Sequence, residues 1–239
     1  MSGEESSLAE VKELRNATIT YIVRTIVGIT LMGLIFFLSA GRINIPQGWL
    51  MLGIYFCFAI IQIFIFHKLN PDLLIARMKR RVGPYKWDKV FIALFGLCMY
   101  GLFAVFGLDV GRFQWSSLGF PFLIIGFIVF GFSGVLATWA MVVNRHFENI
   151  VRIQSDRNHQ VITNGPYSII RHPGYLASFL NFLALPFIIG SAFGLILIAF
   201  FGVLFVARTS LEDKTLQQEL EGYKDYAKKV KYKFIPFIW

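Results

Sequence analysis

The chain of 239 residues predicts an all-α fold. It is expected to be a polytopic membrane bundle of about six transmembrane helices, with a C-terminal helical hairpin and an amphipathic cytoplasmic tail. Three observations predict it. Hydrophobic residues make up 56% of the chain and charged residues 15%, whereas soluble domains carry about a quarter charged residues. Apolar segments near the ~20-residue bilayer length recur six times. The basic residues fall almost entirely into alternate loops. These features exclude a disordered chain, a basic nucleic-acid arm and an ordinary soluble α/β enzyme.

Residues 1–17 read as a cytoplasmic interfacial segment. Ser7-Leu8-Ala9-Glu10 fits a capping box, and Leu8, Val11 and Leu14 give a narrow apolar stripe, so a short interfacial helix is expected there. A four-helix membrane region follows over 18–143, with spans Thr18 to Ala40, Gly48 to Phe66, Val90 to Leu108 and Leu118 to Val143. The region 144–239 holds two shorter spans, Gly174 to Ile189 and Ala192 to Ala207. They read as a tight hairpin turned at Gly190-Ser191, after a kink or break near Pro186. Cys57 and Cys98 lie inside apolar runs and read as membrane-buried thiols. No Cys/His cluster has metal spacing, so no metal is expected.

Of the 23 Lys and Arg, twenty fall in the N-terminal flank, the loop 67–89, the loop 144–173 and the tail from Arg208. Only Arg42 and Arg112 fall on the other side, and Arg24 lies within the first span, where a snorkelling side chain is expected. The asymmetry predicts a multi-pass integral protein with both termini and both long loops cytoplasmic. It accounts for the net charge of +9 by topology and attraction to anionic lipid, with no nucleic-acid partner. No obligate protein partner is evident.

The common phosphate-cradling loops and the G-x-S-x-G elbow are absent. Ionisable residues are scarce in the spans, which disfavours an ion pump. Polar residues crowd instead into 144–175 and 208–233, on either side of the last hairpin. If that hairpin is tight, its two cytoplasmic ends meet and form one site. His172 and Tyr175 are three apart on the helix that Pro173 starts, and so share a face. Arg208 and Glu212 are four apart and share a face of the helix leaving the sixth span. By themselves they read as a surface ion pair worth a few tenths of a kcal/mol. Leu216, Leu220, Tyr223, Tyr226 and Val230 form an apolar stripe expected to lie on lipid. Gly222 is expected to separate two helices, and Phe234 to Trp239 to form an interfacial aromatic patch.

Taken as an ordered set, Asn164-Gly-Pro-Tyr167, Arg171-His-Pro-Gly-Tyr175, Arg208 with Glu212, and Gly222-Tyr223-x-x-Tyr226 followed by Phe234-Ile-Pro236 resemble the isoprenylcysteine carboxyl methyltransferase family and its prokaryotic relatives. The resemblance covers residues 144–239. It implies an S-adenosylmethionine-dependent membrane methyltransferase with its active site on the cytoplasmic side. Carried over by position, the donor contacts are His159, Gln160, Val161, Ile162, Tyr167, Arg171, His172, Tyr175 and Glu212. Arg208 faces the substrate, and His172 and Glu212 stand beside it in the catalytic group. The family's early loop glutamine falls here on Arg152 or, with a one-residue gap, on Gln154. The residue types suit a sulfonium zwitterion: Glu212 can pair the ammonium, His172 or Arg171 the carboxylate, and Tyr167, Tyr175, Val161 and Ile162 can enclose the adenine and sulfonium. The implied partners are membrane lipid and a lipophilic small-molecule acceptor such as a prenylcysteine-like carboxylate. Three alternatives stand beside this: phospholipid N-methylation, an NADPH-dependent sterol-type reductase, and a non-enzymatic membrane scaffold.

Overall fold

A computed structural model of the chain describes residues 2–79 and 84–239, with side chains described from Leu8 onward. Arg80 and Arg81, counted above in the second basic loop, lie outside the described residues. The described part is helical, with a single isolated bridge between Ile170 and Tyr232.

Among the described residues eight α-helices follow one another: α1 (Ser2–Ala40), α2 (Pro46–Leu69), α3 (Pro71–Met78), α4 (Lys86–Phe106), α5 (Phe120–Val143), α6 (Pro173–Ile189), α7 (Ala192–Glu219) and α8 (Tyr223–Lys229). A π-helical extension, Gly107–Phe113, continues α4. Five of the helices are long and apolar enough to cross a membrane, and α6 is a shorter apolar helix of 17 residues. All six expected spans are therefore present as helices, the fifth being the short one. Their large side chains that face away from the bundle, such as Ile26, Phe64, Leu97 and Val135, are exposed, as suits a lipid-facing surface.

The N-terminal expectation needs correcting. α1 runs unbroken from Ser2 through Ser7 into the first span, so no helix begins at Ser7 for a capping box to close. At 39 residues and 1.5 Å per residue it is roughly 58 Å long, about twice the ~30 Å hydrocarbon core. Its first turns therefore project past the apolar layer. Arg24 brings Nη1 to 4.0 Å from Met78 Sδ of α3.

The core is aromatic and runs through α1, α2, α4, α6 and α7. Phe36, Met51, Phe103, Phe106, Phe201 and Phe205 fill it, and Phe182 stacks on Phe201 with centroids 4.8 Å apart. Small residues set the helix spacing, as expected where lipid offers no hydrophobic drive between helices. A Cβ on Gly107 would lie 2.2 Å from the Phe36 carbonyl oxygen. On Gly126 it would meet Ile188 at 2.8 Å, which lets α5 and α6 pack closely over much of their length.

The last hairpin is as tight as predicted. Gly190, with φ +86°, caps α6, and the Ser191 hydroxyl accepts from Gly194 N–H at the start of α7. α6 passes through Pro186 without a break. A buried carboxylate fastens this turn. Asp109, just past α4, accepts from Ser116 Oγ at 2.6 Å, Ser191 Oγ at 2.6 Å and Ser116 N–H at 2.8 Å. At the opposite end the two halves of the hairpin open onto a polar loop.

Candidate functional site

The polar loop starts where α5 stops. Asn144 donates to the Tyr167 hydroxyl at 2.9 Å and accepts from His146 N–H at 2.8 Å. Gln154 donates to the His146 carbonyl at 2.7 Å. The His146 and His159 rings lie 4.6 Å apart. His146 Nε2 accepts from Gln160 N–H and from Arg145 Nε, and His159 Nδ1 accepts from Gln154 N–H. Both imidazoles are thus used as acceptors. Burial lowers the pKa of both, with positive neighbours adding to it, and that of His159 falls to about 4. Arg152 ties the loop together through Glu148 at 2.9 Å and Asp156 at 2.6 Å.

Asn164-Gly-Pro-Tyr167 forms a 3-10 turn whose left-handed residue is Gly165, with φ +58°. The turn buries Tyr167, and Tyr226 donates its hydroxyl to the Tyr167 carbonyl at 2.7 Å. The chain then pairs with the tail: Arg171 N–H donates to the Tyr232 carbonyl and His172 N–H to the Lys233 carbonyl, both at 2.9 Å. Pro173 opens α6, and Gly174 leaves room for the Phe147 ring, which a Cβ there would displace.

The segment before the hairpin and the segment after it therefore fold over each other. Between them lies a cleft of about 800 Å³. Its walls include Arg152, Gln154, His159, Gln160, Val161, Ile162, Tyr167, Arg171, His172, Tyr175 and Glu212, every predicted site residue except Arg208. Tyr175 donates its hydroxyl to Glu212 Oε2. The His172 and Tyr175 rings are parallel within 3° at 5.7 Å. Among the described residues no cation pairs with Glu212.

Arg208 stands just outside this cleft. Its Nη2 contacts Asp88 Oδ1 and the Asn149 carbonyl, each at 2.9 Å, and its guanidinium lies over the rings of Phe91 (4.3 Å) and Tyr175 (5.1 Å). The surface ion pair read from the i,i+4 spacing is therefore not formed. Arg208 takes Asp88, and Glu212 takes Tyr175. On the outer side of Arg208 an apolar groove of about 610 Å³ runs between α4 and α7, lined by Trp87, Val90, Phe91, Leu94, Leu204 and Leu211.

Three further expectations change. The stripe of Leu216, Leu220, Tyr223 and Tyr226 packs against Ile153 and Val161 of the loop and walls the cleft; it does not lie on lipid. Burial raises the hydroxyl pKa of Tyr223, Tyr226 and Tyr167. Arg171, one of two candidates to hold a ligand carboxylate, has its guanidinium committed elsewhere. It donates to Asp213 at 2.7 and 3.1 Å and to the carbonyls of Val230 (2.7 Å) and Lys231 (3.1 Å). Of the aromatic patch, Phe234 is buried in the core while Phe237 and Ile238 are exposed.

Sequence reasoning missed Asp213 and Asp88. Asp213 follows Glu212 and so faces about 100° away on the helix, toward Arg171, His172 (3.5 Å) and Tyr223 (3.1 Å). Its charge next to a known motif was the available signal. Asp88 lay within a loop read only for its basic residues.

The fold and the cleft define a class: a polytopic helical membrane protein with a polar, aromatic-walled cleft at the open end of its last hairpin. Comparison narrows this. The phospholipid methyltransferase family matches residues 121–221. Probable protein-S-isoprenylcysteine O-methyltransferases of Oryza sativa subsp. indica and subsp. japonica are each 30% identical over 129 residues, 52% of this chain and 62% of theirs. A Delta(14)-sterol reductase of Schizosaccharomyces pombe is 32% identical over 90 residues, 36% of this chain and 21% of the reductase. The chain thus spans less than two thirds of each of these relatives. Over part of its length the chain is thus similar to the phospholipid methyltransferase family and to the rice methyltransferases, the latter of the family its motifs resemble.

Proposed function

We propose that this chain binds S-adenosylmethionine in the cleft and transfers its methyl group to a lipophilic acceptor. The cleft and both termini face the cytoplasm in this reading, on the strength of the Lys and Arg asymmetry between loops. The observation that carries the proposal is Glu212, a carboxylate in the cleft wall held by a tyrosine hydroxyl and, among the described residues, paired with no cation. A partly buried anion so placed favours a cationic ligand.

The remaining walls fit the rest of such a donor. Val161, Ile162, Tyr167 and Tyr223 present apolar and aromatic surface, and Gln160, His172 and Arg152 present polar groups on the loop side. When bound, the donor supplies a methyl group activated by its sulfonium. The chain's own residues do the rest. Glu212 binds the ammonium. His172, flanked by Tyr223 and Asp213, holds the polar end of the donor. Tyr175, stacked beside His172, orients Glu212. Arg208 stands between the cleft and the groove from α4 to α7, where its charge meets an acceptor whose apolar body lies in the groove. Positioning supplies most of the rate, and an acceptor that is already anionic needs no general base.

A second reading, N-methylation of an aminophospholipid, is favoured by the description of the matching family. It uses the same cleft with a different acceptor.

Calorimetry on detergent-purified protein tests the donor. S-adenosylhomocysteine is expected to bind at micromolar level or better, and NADPH not at all. Glu212→Gln removes one charge-assisted hydrogen bond of about 1.5–3 kcal/mol and is expected to weaken binding by roughly ten- to a hundredfold. Absence of S-adenosylhomocysteine binding refutes the proposal, and NADPH binding in its place supports the reductase alternative. Label from the radioactive donor, followed into a total lipid and small-thiol extract, distinguishes a thiol- or carboxylate-bearing acceptor from an aminophospholipid.

A further inference from the structure

The fully buried carboxylate of Asp88 lies at the start of α4, outside the segment matched to the family and outside the motifs read from the sequence. It makes two contacts of different kinds. Asp88 Oδ2 accepts the Val151 N–H at 2.7 Å, and Oδ1 lies 2.9 Å from Arg208 Nη2. The same Arg208 nitrogen donates to the Asn149 carbonyl at 2.9 Å. Asp88 and Arg208 therefore grip the loop at two backbone points, two residues apart, and Val151 belongs to the cleft wall. The guanidinium also lies over the Phe91 ring of α4 and the Tyr175 ring of α6, 4.3 and 5.1 Å from their centroids.

We infer that Asp88 is a positioning residue for methyl transfer. It holds Arg208 at the boundary between donor cleft and lateral groove, and it ties the donor-side loop to α4. The inference rests on the methyltransferase reading above. Its physical basis is that an arginine sharing a buried partner keeps one orientation, whereas without the carboxylate the guanidinium has free rotamers and an unneutralised charge beside an apolar groove. A shift of about 1 Å at a group that meets substrate can cost a hundredfold in rate. α4 then does more than anchor the chain, because it supplies part of the site.

The test separates the two contacts. Asp88→Asn keeps an oxygen for the Val151 N–H and removes the charge facing Arg208; Asp88→Ala removes both. Asp88→Asn is expected to lower kcat at least tenfold with S-adenosylhomocysteine affinity within threefold of wild type. Asp88→Ala is expected to lose donor affinity as well. Hydrogen exchange of the peptide over 149–153 is expected to quicken in Asp88→Ala and to stay near wild type in Asp88→Asn. The double variant Asp88→Asn with Arg208→Gln is expected to be no more than twofold slower than Arg208→Gln alone. A wild-type rate in Asp88→Asn, equal losses of rate and donor affinity in that variant, or additive losses in the double variant overturn the inference. If wild-type protein binds no S-adenosylhomocysteine, the methyltransferase reading fails on its own. The exchange measurement still decides whether Asp88 holds the loop, and unchanged exchange in Asp88→Ala refutes that tie.

Discussion

Replacing Asp213 by Asn is predicted to loosen the whole end of the bundle that carries the cleft. Asp213 is 1% exposed. It takes two hydrogen bonds from Arg171 at 2.7 and 3.1 Å, one from Gln217 at 2.8 Å and one from Tyr223 at 3.1 Å, and Lys233 Nζ lies 3.7 Å away. The segment ahead of α6, the C-terminal part of α7, the start of α8 and the C-terminal tail thus converge on one carboxylate. The amide keeps its shape but leaves the Arg171 guanidinium buried without its counter-charge. Breaking a buried pair in this way costs about 3–5 kcal/mol. At roughly 2–4 °C per kcal/mol for a chain of this length, the melting temperature is expected to fall by on the order of 10 °C. Thermal unfolding in detergent, followed by intrinsic fluorescence, reads this directly. Replacing both partners, Arg171→Met with Asp213→Leu, is expected to recover at least half of the loss, because the stranded charge is gone. A melting point within 2 °C of wild type for Asp213→Asn refutes the reasoning, as does a double variant no better than the single one.

Acid should loosen the donor loop before the rest of the chain. The neutral forms of His146 and His159 are favoured in the fold by burial and by donors aimed at their ring nitrogens, and the His159 pKa falls to about 4. Between the ordinary histidine value, about 6.5, and pH 4 the unfolded loop binds more protons than the folded one. Stability there rises with pH and is lost as pH falls through that window. Melting temperature measured from pH 7 to pH 4 should show this fall, and His159→Asn should flatten it; identical profiles in the two proteins would count against it. Gly107→Ala is expected to cost roughly 1–3 kcal/mol, since its Cβ would meet the Phe36 carbonyl of α1 at 2.2 Å and backbone must give way. An unchanged melting point would show that α1 and the π-helical extension of α4 are not in close contact there.

Much of the site was legible because helical spacing and topology act locally. A tight hairpin forces its two open ends together, so the placement of Tyr175 beside Glu212 followed from chain order once Gly190-Ser191 was read as the turn. The 3-10 turn at Gly165 and the helix start at Pro173 follow from residues that tolerate few other backbones. The partners of charged groups were less legible. Arg208 and Glu212 share a helix face, yet each bonds across the bundle: burial makes a carboxylate or aromatic partner from another helix more effective than a solvated neighbour four residues away. The Leu216 to Tyr226 stripe shows the same limit, because an amphipathic pattern states that one face is buried without stating whether lipid or protein covers it.

Composition, span length and the sorting of Lys and Arg were enough to determine an all-helical membrane chain with its polar chemistry at one end, because transfer of apolar helices into lipid depends on each segment by itself. Only the tertiary structure decided that Asp88 of α4 holds Arg208 and that Asp213 clamps Arg171 to the tail. Those contacts join residues 42 to 120 positions apart, and no local pattern encodes which of several buried charges will meet.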